Sequence, residues 1–255
     1  MLIVGVIDLI GGRAVHARAG QRDRYAPIAA VAGRRIEAGD AETLARMYRD
    51  DFGVDAIYVA DLDAIRGGKP QRTAVAGVAA IGVPVWLDAG IARVEQAREA
   101  IETGAVRAIV GLETLLAETV LVDMCRAVGG QRVAFSLDLR DGRPIGADDV
   151  IRNRDATAIA ASAAAVGVAA IIAIDLARVG MNGGLDFALL SRLRSAVPRV
   201  PIVAGGGVRS FADVEALAAI GCDGVLIASA LLSGRMSAAD VAASRRLGRH
   251  DSDVR

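Results

Sequence analysis

Lysine is almost missing from this chain. Lys69 is the single example, in a Gly-Gly-Lys-Pro loop, so a Schiff-base mechanism has little to work with. Histidine is nearly as scarce: His16 and His250 are too few for a multi-histidine metal site, and neither a metal nor a cofactor is expected. With only Cys125 and Cys222, both read as small buried apolar residues of a reducing compartment, a disulfide framework is excluded. Charge of one sign is absent too. Thirty basic and thirty acidic residues cancel, leaving no excess to attract nucleic acid or an anionic membrane. No apolar run reaches the roughly 18 residues of a membrane helix, and the N-terminus enters a strand at once, so a cytoplasmic protein is expected.

What is present is apolar surface: 53% of the 255 residues are hydrophobic, enough for one large core. Short Val- and Ile-rich runs recur at Leu2–Ile7, Ala56–Ala60, Pro84–Leu87, Ala108–Val110, Val133–Leu137, Ala169–Ile174, Pro201–Ala204 and Val225–Ile227. They read as strands buried on both faces. Amphipathic stretches lie between them, at Ala41–Asp51, Thr73–Ile81, Val94–Glu102, Thr114–Ala127, Thr157–Val166, Asp186–Ala196, Phe211–Ala219 and Ser237–Leu247. Eight alternating pairs predict a single (β/α)8 TIM barrel over residues 1–247, with 248–255 as a polar tail. The chain also repeats itself. A shift of 117 lays Val83–Leu115 on Val200–Leu232 without a gap, and shifts of 114 and 130 match Asp61-Leu62 to Asp175-Leu176 and Asp8-Leu9 to Asp138-Leu139. Three matches in one order predict two duplicated half-barrels.

The stretch from Val200 to Leu231 reads strand, glycine turn, helix, strand, helix start. Gly205, Gly206 and Gly207 leave peptide N–H groups uncovered, and Ala228-Ser229 opens a second turn beside them. Two such turns predict a phosphate cup, to which Gly180 of the preceding loop is added. Ser210 with Asp213 is an acidic variant of a helix-capping signature. The strand ends are otherwise acidic: Asp8, Asp61, Asp88, Asp138 and Asp175, with Glu113 just after strand four. Asp8 and Asp138, the matched pair from opposite halves, are the candidate proton-transfer residues. Asp61, Asp88 and Asp175 are placed on the substrate side, whereas Asp63 and Glu113 are expected to cap helices or pair with arginines. The glycine-rich segment after Asp8 suits a flap over the mouth, with His16 or Arg18 touching substrate and Arg22 and Arg24 as solvated charge.

The residues 6–15 (VIDLIGGRAV), 59–64 (VADLDA), 135–143 (FSLDLRDGR) and the Gly205–Ser210 turn resemble the histidine-biosynthesis barrels, and the resemblance spans nearly the whole chain. It implies a (β/α)8 fold, a phosphorylated small-molecule substrate and an aspartate pair at Asp8 and Asp138. The family includes the phosphoribosylformimino-aminoimidazole carboxamide ribotide isomerase and a cyclase, both acting on bis-phosphorylated substrates. The chain departs from both. Ile174 and Val179-Gly180-Met181 stand where the isomerase pattern has a threonine and an Asp-Gly-Thr turn, and His16 stands where the cyclase has a lysine. The glycine turn of the first half reads Asp88-Ala89-Gly90, with Leu112-Glu113 opposite, so one bound phosphate is expected instead of two. The run from Gly12 to Arg22 also resembles a branch associated with one-carbon cofactor metabolism. The leading expectation is therefore an isomerase or lyase acting by aspartate chemistry on a small monophosphorylated, amine-bearing substrate. Ordinary ribotide isomerase activity and a non-catalytic phosphate-binding barrel or assembly subunit are the alternatives. Homo-oligomer or partner subunit stays open.

Overall fold

The computed structural model describes residues 1–16, 25–115, 117–146, 152–179 and 184–247. Arg18, Arg22, Arg24, Gly180, Met181, His250 and the tail 248–255 lie outside the described residues. Eight parallel strands close into a barrel: β1 (Leu2–Ile10), β2 (Ala56–Asp61), β3 (Val85–Asp88), β4 (Arg107–Gly111), β5 (Val133–Arg140), β6 (Ala170–Asp175), β7 (Ile202–Gly205) and β8 (Gly224–Ile227). Closure is the pairing of β8 with β1, from Leu2 opposite Gly224 to Gly5 opposite Ile227.

Helices α1 (Ala41–Met47), α2 (Arg72–Ala79), α3 (Val94–Glu102), α4 (Glu118–Val128), α5 (Ala156–Val166), α6 (Phe187–Ala196), α7 (Phe211–Ala219) and α8 (Ala238–Ser244) follow the strands in turn. Three differ from the expected spans: the eighth ends at Ser244 and goes on as a 3-10 turn over Arg245–Leu247. The first continues as a π-helical turn over Tyr48–Phe52, and the fourth starts at Glu118 because the Thr114 hydroxyl bonds back to Gly111 O in a tight turn.

Strand β1 runs on to Ile10 and β5 to Arg140 because each continues into an antiparallel hairpin, Arg13–His16 after the first and Arg143–Pro144 after the second. Both turns have two consecutive positive φ angles, 55° and 76° at Gly11-Gly12 and 52° and 74° at Asp141-Gly142. That is the backbone of a type I′ turn, which Gly-Gly and Asp-Gly sequences favour. The matched hairpins make the half-barrel repeat visible in the backbone.

Two apolar layers result. The barrel interior holds Val4, Ala56, Tyr58, Ala60, Trp86, Ile109, Ala134, Ala170, Ile172, Ile174, Val203 and Leu226. The larger layer, with Ile3, Ile57, Leu87, Val110, Phe135, Ile171 and Ile202, packs the sheet against the helices. Strand alternation assigns each residue to one layer. The alternation also decides which strand-end acids reach the barrel mouth.

Candidate active site

On β1 the inward phase runs through Val4 and Val6 to Asp8; on β3 it passes from Trp86 to Asp88, and on β5 from Ala134 through Ser136 to Asp138. Register sets these ends level. Asp8 lies opposite Ala60, and Ala60 opposite Asp88; in the second half Asp138 lies opposite Ile174, and Ile174 opposite Gly205. Asp8, Ala60, Asp88, Asp138 and Ile174 line a cavity of about 300 Å³ at the C-terminal mouth of the barrel, together with Glu113, whereas Gly205, expected in the phosphate cup, is buried at the end of β7 and does not line it.

Asp138 is the most deeply set of the four, 7% exposed. The Ser136 hydroxyl, fully buried two residues earlier on the same face, sits 2.7 Å from Oδ1, and the Glu113 N–H donates to Oδ2 at 3.4 Å. A Cβ on Gly111 would stand 3.0 Å from Oδ2, so the glycine leaves the carboxyl its room. Burial pushes the Asp138 pKa up to about 8, with the negative charges of Asp88 and Glu113 adding to the shift and the Ser136 bond opposing it. At neutral pH this carboxyl keeps its proton. Tyr58 donates to Asp88 Oδ2 at 2.8 Å, and burial, followed by the charges of Asp88 and Asp138, holds its phenol well above the ordinary range. Tyr58 therefore remains a hydrogen-bond donor in the middle of an acidic wall.

The opposite wall is built by the second half. Gly206, Gly207, Ala228 and Ser229 line the cavity with Arg209 and Arg235. Gly206 and Gly207 have φ of 86° and 104°, and a Cβ on either would press into a backbone carbonyl, 2.8 Å from Asp175 O or 2.7 Å from Gly184 O. His16 Nε2, from the hairpin after β1, is 2.9 Å from Ser229 Oγ. The hairpin thus touches the expected phosphate cup across the barrel closure. The Arg209 guanidinium bonds Asp213 through Nε at 3.2 Å and Nη2 at 3.0 Å, which fixes it beside the glycine turn.

Three expectations require correction. Asp61 and Asp175 do not face the cavity: they follow the inward Ala60 and Ile174 by one residue and point to the outer layer. Asp61 caps a short helix at Ala64 N and accepts from Gln71, while Asp175 accepts from Asp141 N at 3.1 Å and Gly142 N at 3.0 Å. Both clamp loops that hold the hairpins; Gln71 itself bonds Gly12 N and Leu9 O. Ser210 occupies the start of α7 without a side-chain cap, and Asp213 turns back to Arg209 N at 2.8 Å. Asp63 accepts from Gly11 N at 2.8 Å, whereas Glu113 lines the cavity. Sequence reading missed Tyr58, Arg140, Arg209 and Arg235 on the cavity wall. Arg140 had a signal, since it lies two residues after Asp138 on the same strand.

A closed β/α barrel with a cavity at its C-terminal mouth, carboxyls on one wall and glycine turns with arginines on the other, defines a class: barrel enzymes with the active site at that end. Comparison narrows this. Residues 2–237 match the model of a family described as "Histidine biosynthesis protein". The chain belongs to that family and is an isomerase of its barrel type. It is 33% identical over 243 residues to a 1-(5-phosphoribosyl)-5-((5-phosphoribosylamino)methylideneamino) imidazole-4-carboxamide isomerase of Thermus thermophilus, covering 92% of this chain and 96% of the relative. It is 32% identical over 248 residues to the enzyme of the same name from Chloroflexus aurantiacus, with 95% and 97% covered. Among the described residues no helix is long and apolar enough to cross a membrane.

Proposed function

We propose that this chain isomerises a phosphorylated ribosylamine, the kind of group named in its relatives, by proton transfer between Asp138, Asp8 and the sugar. The observation that carries the reading is a deeply buried carboxyl, Asp138, whose pKa burial pushes up, sharing one cavity with a second strand-end carboxyl, Asp8. An N-ribosylamine is closed through its ring oxygen. Protonation of that oxygen by Asp138 breaks the C1–O bond and leaves a C1=N iminium. Asp8 then takes the C2 proton, and the electron pair moves to give an enaminol, whose tautomerisation yields the 1-amino-2-ketose. No redox partner is required. Gly206, Gly207, Ser229 and Arg209 hold the sugar phosphate, with His16 bearing on Ser229, so binding at one end fixes C1 and C2 between the acids. Leu176, Val179 and Ile174 supply the apolar wall that keeps water from the open-chain intermediate.

The test is direct assay, with purified protein, of the relatives' imidazole-4-carboxamide ribotide both with its two phosphates and without the one on its imidazole-borne ribose. Turnover of the single-phosphate form is expected, and it is lost in Asp8→Asn. Turnover by Asp8→Asn equal to wild type would remove Asp8 from the mechanism.

A further inference from the structure

We infer that Asp88 fills, from within the chain, the place that a second phosphate would take, so the substrate of this enzyme carries one phosphate and an uncharged or cationic far end. This deepens the isomerase reading and rests on it. The 117-residue repeat sets Asp88-Ala89-Gly90 of β3 against Gly205-Gly206-Gly207 of β7, and Gly111-Leu112-Glu113 against Ala228-Ser229-Ala230. The two turns share a left-handed glycine at their third position, Gly90 and Gly207, and part at the second, where Gly206 has φ of 86° and Ala89 does not have a positive φ. Gly90 has φ of 62° and, like Gly207, packs so closely on the neighbouring loop that a Cβ would reach backbone, here Ile65 Cα at 2.9 Å.

The occupants differ. Asp88 Oδ1 accepts the Gly90 N–H at 3.2 Å and Oδ2 accepts the Tyr58 hydroxyl at 2.8 Å. A donor of the turn and the nearest hydroxyl are thus engaged by a carboxylate built into the strand. Across the turn, Leu112 is buried where the second half has the Ser229 hydroxyl, and Glu113 lines the cavity. An incoming phosphate would displace one anion while facing another, in a mouth of low dielectric. The same field is felt by Asp138, whose proton Asp88 and Glu113 help to retain. The relatives' printed name contains two 5-phosphoribosyl groups. The chemistry at Asp8 and Asp138 needs only one of them.

The experiment pairs two ligands: the relatives' bis-phosphorylated ribotide and the same molecule lacking the phosphate on its imidazole-borne ribose. Calorimetric Kd values and kcat/KM are measured for wild type, Asp88→Gly and Asp88→Asn, each checked for an unchanged melting temperature. Wild type is expected to bind the single-phosphate ligand at least tenfold more tightly. Asp88→Gly, which restores a glycine at the position matched to Gly205, is expected to reverse the preference, and Asp88→Asn to move it part of the way. Equal or tighter binding of the bis-phosphate by wild type, or failure to bind either ligand, overturns the inference. If Asp88→Gly does not fold, Leu112→Ser must shift the ratio towards the bis-phosphate, and an unchanged ratio overturns it as well. Binding with the expected preference but no turnover would instead count against the isomerase reading.

Discussion

At the scale of single residues the site turns on how one carboxyl is kept protonated beside others. Asp138 pairs with a buried serine, a backbone N–H and a glycine that leaves it room, and burial does most to raise its pKa to about 8. As the acid of the proposed reaction it works below that value. The expected profile of kcat/KM against pH therefore falls through about pH 8. Asp138→Asn should cost roughly 10²–10⁴ in kcat/KM and abolish that limb. Ser136→Ala gives a finer test. Its hydroxyl favours the ionised carboxylate, so removing it should move the limb to higher pH, which a full pH–rate profile would read; Ser136→Thr should move it back. The acids were legible as a set of strand ends but not individually. Every strand is apolar on both faces, so composition does not say which parity points inward, and a one-residue difference separates inward Asp8 and Asp138 from outward Asp61 and Asp175. Only the neighbours Ala60 and Ile174, placed by register, settle the parity.

At the scale of elements the alternation of short apolar runs and amphipathic stretches was enough to place all eight strand–helix pairs, because period and length differ so clearly between the two. What stayed hidden is what one strand asks of the helix beside it. Gly5 on β1 faces the ring of Tyr48, whose hydroxyl donates to Val6 O at 3.1 Å; a Cβ there would stand 2.6 Å from Tyr48 Cδ2. Tyr48 begins the π turn that ends α1, and its phenol, buried near Asp8, is held above the ordinary range. Gly5→Ala should therefore push the first helix off the barrel at a cost of about 1–3 kcal/mol, seen as a lower denaturation midpoint. An unchanged midpoint would mean the π turn shifts without cost. The hairpins were equally illegible. Asp8 and Asp138 were expected to end their strands, yet Gly11-Gly12 and Asp141-Gly142 turn the chain back, and the clamps that fix them are Asp63, just after β2, and Asp175, at the end of β6, far away in sequence.

At the scale of the whole molecule the same buried acid makes stability depend on pH in an unusual direction. Most shifted carboxylates here, Asp40, Asp155 and Asp213 among them, are held below their ordinary range, chiefly by hydrogen bonds at Asp40 and Asp155, and at Asp213 by bonds to Arg209 that outweigh burial. Their contribution is present above about pH 4 and lost as pH falls. Asp138 is the reverse. Its folded value lies above its unfolded value of 3.8, so its contribution is full below that value and drains away as pH rises towards about 8. Between pH 5 and 7 the folded state holds one proton that the unfolded chain has released, and a single proton changes stability by about 1.4 kcal/mol per pH unit. The urea midpoint of the wild-type barrel should accordingly fall from pH 5 to pH 7. Asp138→Asn, which carries no proton to lose in either state, should hold a flat midpoint over the same range. A wild-type midpoint that rises with pH would show that Asp138 is ionised in the folded barrel, and with it the assignment of Asp138 as the acid would fail.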